Sequence, residues 1–183
     1  MKVIAVLGSP REQSASSAVA MQILEGAKSA GHEIVLYRLN QMNLRGCQAC
    51  RYCKENCCDC IVQDDLKPYW QDLHTCGALI LASPNYFSQV TGPMISFMNR
   101  HYCLSATVNG KAVCRLEQNI KLVGVFSQGN GNPQGYLENY RWYLRNFEAK
   151  NMTLEDILVH TPQMSLEKDG ELMRRAYAIG QAL

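Results

Sequence analysis

The 183-residue chain has no apolar run approaching the ~18 residues that a membrane span requires. It also lacks any excess of one charge. A net of +2 excludes the basic surplus of a nucleic-acid binder and the polybasic patch of a membrane anchor. Neither G-x-G-x-x-G nor G-x-x-x-x-G-K-[ST] occurs, so nothing points to a dinucleotide or nucleoside triphosphate. The opening MKVIAVLGSPR has one lysine and a short apolar run, where a secretory signal needs ~7–15 apolar residues and a cleavage site. The expectation is a cytoplasmic protein. Repeats, linkers and low-complexity tracts are missing too, so residues 1–183 read as a single domain. The four histidines (His32, His74, His101, His160) stand apart, without triad or ligand spacing, and read as structural.

What is present is a globular composition, 47% hydrophobic and 19% charged. Residues 2–7 (KVIAVL) form a short β-branched run that stops at Gly8. A helix is expected over 14–30, closed by Gly31, and a second strand over 32–39. Residues 40–61 have no period of their own. A short helix over 65–76 follows, with Asp64-Asp65 as its N-cap. The run ALILA at 78–82 suggests a strand buried on both faces. Pro93 opens a helix to about 102, residues 120–126 give a fourth strand, and a helix spans 135–150. Tyr136, Tyr140, Tyr143 and Phe147 make a buried stripe on that helix, with Arg141, Arg145 and Lys150 on its solvated face. Residues 152–160 supply the last strand and 166–183 the last helix. Five strand–helix alternations with right-handed crossovers imply an α/β, doubly wound parallel sheet, and the expected form is the flavodoxin-like one of order 2-1-3-4-5.

Ligands of such sheets bind beyond the carboxyl ends of the strands. The turn after the first strand offers Ser9, Ser14, Ser16, Ser17 and Arg11 at a helix N-terminus. Hydroxyls with one cation and a helix dipole suit a single phosphate monoester, whereas capping alone needs one hydroxyl. The loop after the third strand carries Ser83, Pro84, Asn85, Tyr86, Phe87 and Ser88. The loop after the fourth carries Ser127, Gly129, Asn130 and Gly131. Amides at 85–88 and the glycine-rich approach at 129–131 suit the polar rim and flat faces of a flavin, making FMN the expected cofactor.

Cysteine is abundant: nine in all, six of them (Cys47, Cys50, Cys53, Cys57, Cys58, Cys60) within fourteen residues. An odd number argues against a disulfide framework, and Cys76, Cys103 and Cys114 read as scattered core or surface thiols. C-x2-C-x2-C at Cys47, Cys50 and Cys53 is a spacing that wraps three corners of a cubane. Free thiols, zinc and a dithiol relay through Cys50 and Cys53 are the alternatives.

Three stretches carry a family resemblance: GSPREQSASS, GCQACRYCKENCCDCIVQDD and ASPNYFSQVTGPMISFMNR. They resemble the NADPH-dependent FMN reductase superfamily, and within it the iron–sulfur flavoproteins and the multimeric flavodoxins related to tryptophan-repressor-binding protein. The family phosphate loop falls on Gly8, Ser9, Pro10, Arg11, Ser14 and Ser16, with Ala15 where the family has Asn. The flavin loop falls on Ser83, Pro84, Tyr86 and Phe87. Asn99-Arg100 replaces the usual Asp-Arg, and Asn132-Pro133-Gln134-Gly135 the usual Gly-Gly-Gln-Glu.

The resemblance implies an FMN-dependent oxidoreductase drawing on NAD(P)H or a ferredoxin-like donor, with a quinone, flavin, metal or iron–sulfur acceptor. No catalytic side chain is expected, because the flavin carries the chemistry. A [4Fe–4S] cluster would take Cys60 as fourth ligand, with Cys58 or Cys57 in reserve, on a cysteine-rich insertion of about 44–62. A small-molecule or protein redox partner and a homodimer or homotetramer follow. An electron carrier and a thiol or metal sensor remain the rival functions.

Overall fold

Five apolar runs become strands that stack side by side in parallel: β1 (Lys2–Leu7), β2 (Glu33–Arg38), β3 (Cys76–Pro84), β6 (Ile120–Ser127) and β7 (Met152–His160), in the order β2-β1-β3-β6-β7. This is the expected flavodoxin-like order 2-1-3-4-5. The computed structural model describes residues 1–108 and 110–183. The three inner strands are mainly apolar, and buried along nearly all their length, because both faces are covered.

Alternation along β1 sends Val3, Ala5 and Leu7 to one core, under α1 (Ala15–Ser29) and α6 (Glu171–Ala182). Ile4 and Val6 go to the other, under α3 (Lys67–Leu73), α4 (Gly92–Arg100) and α5 (Leu137–Glu148). Helices α1 and α6 touch backbone to backbone. A Cβ on Gly26 would lie 2.1 Å from the Tyr177 carbonyl oxygen, and one on Gly180 only 1.9 Å from that of Ile23. Glycine at both positions lets the two helices meet this closely.

Differences from the sequence reading have local causes. The third strand runs from 76 to 84, beyond the expected 78–82, because Lys2 pairs Cys76 and Pro84 pairs Ser127. The last helix begins at Glu171, five residues late, since a turn closed by the Gly170 amide on the Glu167 carbonyl precedes it. The aperiodic stretch contains a 3₁₀ turn, Leu39–Gln41, and a short helix α2, Tyr52–Glu55. An unexpected antiparallel hairpin, β4 (Ser105–Val108) with β5 (Lys111–Cys114), stands outside the main sheet. On α5, Tyr140 and Phe147 are buried and Tyr143 half-buried, as is the N-cap Tyr136, while Arg141 and Arg145 are exposed and Lys150, beyond the helix, is half-buried. Among the described residues, no helix is long and apolar enough to cross a membrane.

Candidate functional site

Leu7 pairs with Ala82 and Ala82 with Val125, so the strands β1, β3 and β6 end side by side. The turn after β1 is tied down at Gly8. Its amide donates to the Ala82 carbonyl (2.8 Å), and its carbonyl accepts from Thr91 Oγ1 (2.8 Å) and Asn40 Nδ2 (2.7 Å). A Cβ on Gly8 would come within 2.8 Å of that Thr91 oxygen, so only glycine allows the approach.

Beyond it, Ser14 caps α1, its Oγ accepting from the Ser17 amide at 3.2 Å. The Ser14 hydroxyl donates to Ser17 Oγ (2.8 Å) and lies 3.4 Å from Ser16 Oγ. Ser16 and Ser17 are buried behind Ser14, while Ser9 is half-buried and Arg11 exposed. The Arg11 amide donates to Ser9 Oγ at 3.2 Å. Ser14, Ser16 and Ser17 therefore form one hydroxyl cluster whose buried members hold Ser14 in place, and Ser9 is a separate, half-buried hydroxyl on the same turn. The first-turn amides of Ala15 and Ser16 have no carbonyl within the helix to bond. Amides, hydroxyls and a nearby guanidinium fit a phosphate monoester.

The next two loops are bound to each other. The Asn85 amide donates to the Ser127 carbonyl (2.7 Å), and Asn85 Nδ2 donates to Tyr140 Oη (3.0 Å). Tyr140 in turn donates to Gln128 Oε1 (2.8 Å), whose amide nitrogen closes on the Asn130 and Asn132 carbonyls. Burial pushes the Tyr140 hydroxyl up to about 12, outweighing Asn85, so it remains a neutral donor at neutral pH. Tyr140 also stacks on Phe126 with centroids 4.0 Å apart.

Tyr86 and Gln89 exchange both backbone hydrogen bonds, making a tight turn with Phe87 (φ 53°) and Ser88 (φ 62°) in the left-handed region. Of the four amides at 85–88, those of Asn85 and Tyr86 are thus spent within the chain. Phe87 is 99% exposed at the tip, a flat apolar surface in solvent. Pro84 ends β3 and Ser127 ends β6. Gly129, Asn130 and Gly131 are exposed, and a Cβ on Gly129 would meet nothing within 4 Å. Packing does not demand glycine at 129; close approach of a flat ligand would.

The cysteine segment passes the other end of α4. Cys47, Cys50, Cys53 and Cys60 line one cavity of about 20 Å³, together with Arg100 and Cys103. Cys57 and Cys58 are not among its lining residues: Cys57 is exposed and Cys58 half-buried against the core. Ala49 (φ 52°), Arg51 (φ 61°) and Cys57 (φ 47°) are left-handed without being glycine, a local strain of order 1–2 kcal/mol each. Burial pushes the Cys53 thiol up, Lys54 opposes this, and Cys60, Cys50 and Cys47 add to it. Among the described residues, no three Cys, His, Asp or Glu side chains close on a common ion point.

Charged side chains hold this segment to the rest of the fold. Lys54 Nζ donates to the Tyr102 and Ser105 carbonyls (2.5 Å each) and lies 3.7 Å from the Tyr102 ring centroid. Asp59 accepts from Arg115 (2.9 Å) and pairs with His74 (3.0 Å). Arg100, 1% exposed, donates to Cys60 Sγ (3.0 Å), Asp64 Oδ2 (2.5 Å) and the Arg45 carbonyl (2.8 Å).

Asp64 corrects the capping expectation. Its Oδ1 does accept from the Leu66 amide, but its main partner is Arg100, and the N-cap of α3 is Leu66 with no side-chain bond. Cys103 is the core thiol expected, and it also lines the cysteine cavity; burial pushes it up to about 12. Sequence reasoning also missed Lys54, Arg115 and Tyr140 as organising residues. Their partners lie more than ten positions away, and no local spacing marks them. His101 is structural: it is buried and bonded to Tyr69 Oη (2.7 Å) and the Phe97 carbonyl (3.1 Å). The large groove of about 750 Å³ flanks β7, α5 and α6, and holds no thiol and none of the serine-turn residues.

Comparison with known proteins accords with this geometry. The family model described as NADPH-dependent FMN reductase matches residues 1–139. An iron-sulfur flavoprotein of Archaeoglobus fulgidus is 28% identical over 100 residues, 55% of this chain and 48% of the relative. One from Methanocaldococcus jannaschii is 31% identical over 100 residues, 55% of this chain and 50% of the relative. The aligned part of the chain thus spans about half the length of the curated relatives it matches. The solved NAD(P)H:quinone oxidoreductase from Methanothermobacter marburgensis superposes with a TM-score of 0.69 at 21% identity, covering 99% of this chain and 94% of that one, which establishes a shared fold.

Proposed function

The chain belongs to the NADPH-dependent FMN reductase family, and from that premise we propose that it is an FMN-dependent oxidoreductase driven by NAD(P)H. The observation that carries this reading is the mutual bonding of three loops at one sheet edge. Gly8 is fixed by Thr91 and Asn40, and Asn85 is fixed to Gln128 through Tyr140. Ser9, Ser14, Arg11 and the first-turn amides of α1 would hold the phosphate, with Ser16 and Ser17 bracing Ser14. Pro84, Asn85, Ser127, Gly129, Asn130 and Gly131 would form the ring-side wall. Phe87 and Ser88 keep their amides for the polar rim, and Tyr86 shapes their turn. Bound FMN supplies the electron transfer, so no protein acid or base is required. The acceptor class is a quinone, flavin, metal centre or cluster.

Cys47, Cys50, Cys53 and Cys60 would hold an iron–sulfur cluster. These four thiols line one cavity with Cys103, and a hydrogen-bond donor is already aimed at one of them, which supports this. The cavity is smaller than a four-iron cube, so the stretch 47–51, which lacks regular structure, must move outward to admit it. We read residues 1–183 as one domain with the cysteine-rich segment at about 44–62 as its insertion. We place the chain in a reducing compartment such as the cytoplasm, which would keep its nine cysteines as free thiols or metal ligands. Phe87, Trp142 and Tyr102 are exposed aromatics near the grooves between α4 and α5, and we assign that face to a second copy of the chain.

A non-enzymatic carrier is the second reading, and one observation favours it. Helix α4 is fixed to the serine turn through Thr91 at its start and to Cys60 through Arg100 at its end. Its nine residues span about 14 Å at ~1.5 Å per residue, a short path between the two sites. Steady-state oxidation of NADH or NADPH by the FMN-loaded protein, with a soluble quinone added, separates the two. Turnover is expected. Flavin that neither nicotinamide reduces would overturn the reductase reading in favour of the carrier.

A further inference from the structure

We propose that Arg100 is a positioning residue that raises the reduction potential of the cluster through its hydrogen bond to Cys60. The inference rests on the cluster reading above. Its basis is the way the guanidinium is held. Nε donates to Cys60 Sγ at 3.0 Å, while the terminal nitrogens are engaged by Asp64 and by the Arg45 and Val62 carbonyls. The side chains of Arg100 and Asp64 are both fully buried, so no water competes for these bonds. Asp64 is itself fixed by the Arg45 amide (3.0 Å) and the Leu66 amide (3.2 Å).

With Asp64 neutralising the cation, what reaches the sulfur is mainly an oriented N–H dipole. Among the described residues, Cys60 Sγ is the only one of the five cavity thiols, and so of the four assigned to the cluster, to which a side-chain donor is bonded. An N–H bond to a ligating sulfur favours the state with more electron density on that sulfur, which is the reduced one. The potential therefore rises. Lysine cannot replace this arrangement, because a single ammonium cannot face Cys60, Asp64 and two carbonyls in one plane.

The test uses the whole chain, purified and reconstituted with iron and sulfide without oxygen, as wild type, Arg100→Lys and the double variant Arg100→Met/Asp64→Asn. The double variant removes the N–H···S bond without leaving a buried unpaired charge. Iron and sulfide content is measured first, then the one-electron midpoint potential by titration with dithionite. Arg100→Lys should lower the potential, and the double variant should lower it further. The expected total is a roughly tenfold change in the reduced-to-oxidised ratio at fixed applied potential, ~59 mV for one electron.

Wild-type protein without iron and sulfide overturns both the cluster reading and this inference. Wild-type protein with a cluster, and variants with an unchanged potential, overturns the inference alone. Should the double variant hold no iron, Arg100→Lys decides by itself: a lowered potential supports the assignment, and the wild-type value contradicts it.

Discussion

The serine turn and the cysteine segment are both candidate cofactor sites, yet they are built in opposite ways. Gly8 through Ser17 is held by a backbone bond from Gly8 to β3, by Thr91 and Asn40 on the Gly8 carbonyl, and by the Ser14 cap three residues from Ser17. Among the described residues, the cysteine segment pairs with no strand, and it is pinned by Lys54, Asp59, Arg100 and Asp64 to the hairpin, to α4 and to the end of α3. A site built on the scaffold's own ladder can lose a side chain and keep its shape. A site held by buried ions should lose shape and contents together.

The sharpest way to break this comparison is Arg100→Ala, which leaves Asp64 charged and buried. It should cost about 3–5 kcal/mol in urea unfolding. A cost under about 1 kcal/mol would mean that the ion pair does not anchor the segment.

The next effect is pH-dependent and lies beneath the same anchor. Burial holds His101 down at about 4, against an ordinary value of about 6.5. The unfolded chain takes up the proton first, so stability is complete above 6.5 and declines as pH falls toward 4. The loss between pH 7 and pH 4.5 is about 2 kcal/mol. His101→Gln, which keeps a donor and an acceptor without titrating, should remove that part of the slope.

Ser14→Ala comes third. It should cost about 1 kcal/mol of stability through the lost cap, and weaken FMN binding while leaving iron content unchanged. Equal loss of iron would erase the distinction between the sites.

The smallest effect belongs to Asp59. Burial would push its carboxyl up, but the bonds from His74 and Arg115 outweigh this and hold it below the ordinary value of about 3.9. Its stabilisation is present at neutral pH and is lost only as acid takes it through the lowered value. Asp59→Asn at pH 7 should cost under about 1 kcal/mol, read as faster amide exchange at 57–60 with 14–17 unchanged.

The same contrast explains what the sequence alone could reveal. The first and last strands of the sheet follow from local apolar runs and turn residues, and the alternation of elements with its handedness gives a parallel sheet covered on both faces; these were legible. The stretch at 105–114 carried a usable signal, an Asn-Gly pair that follows Thr107-Val108 and precedes Lys111-Ala112-Val113. Arg100, Cys103 and Tyr140 were not legible as site residues, because each matters through a partner far along the chain. Asp64 looked like a cap since its sequence neighbours are consistent with one, and only the fold brings Arg100 to it. Within the serine turn, sequence did not separate outer hydroxyls from inner ones, because burial is a tertiary property.

The central claim is that the turn after β1 grips the phosphate of FMN. The direct measurement is the affinity of wild type and Arg11→Ala/Ser14→Ala for FMN and for riboflavin, which lacks the phosphate. The account predicts that wild type prefers FMN and that the double variant loses roughly 10- to 100-fold for FMN, from ~1.5–3 kcal/mol of charged hydrogen bonding, with riboflavin binding unchanged. Equal FMN affinity in the two proteins, or a wild type indifferent to the phosphate, would contradict it.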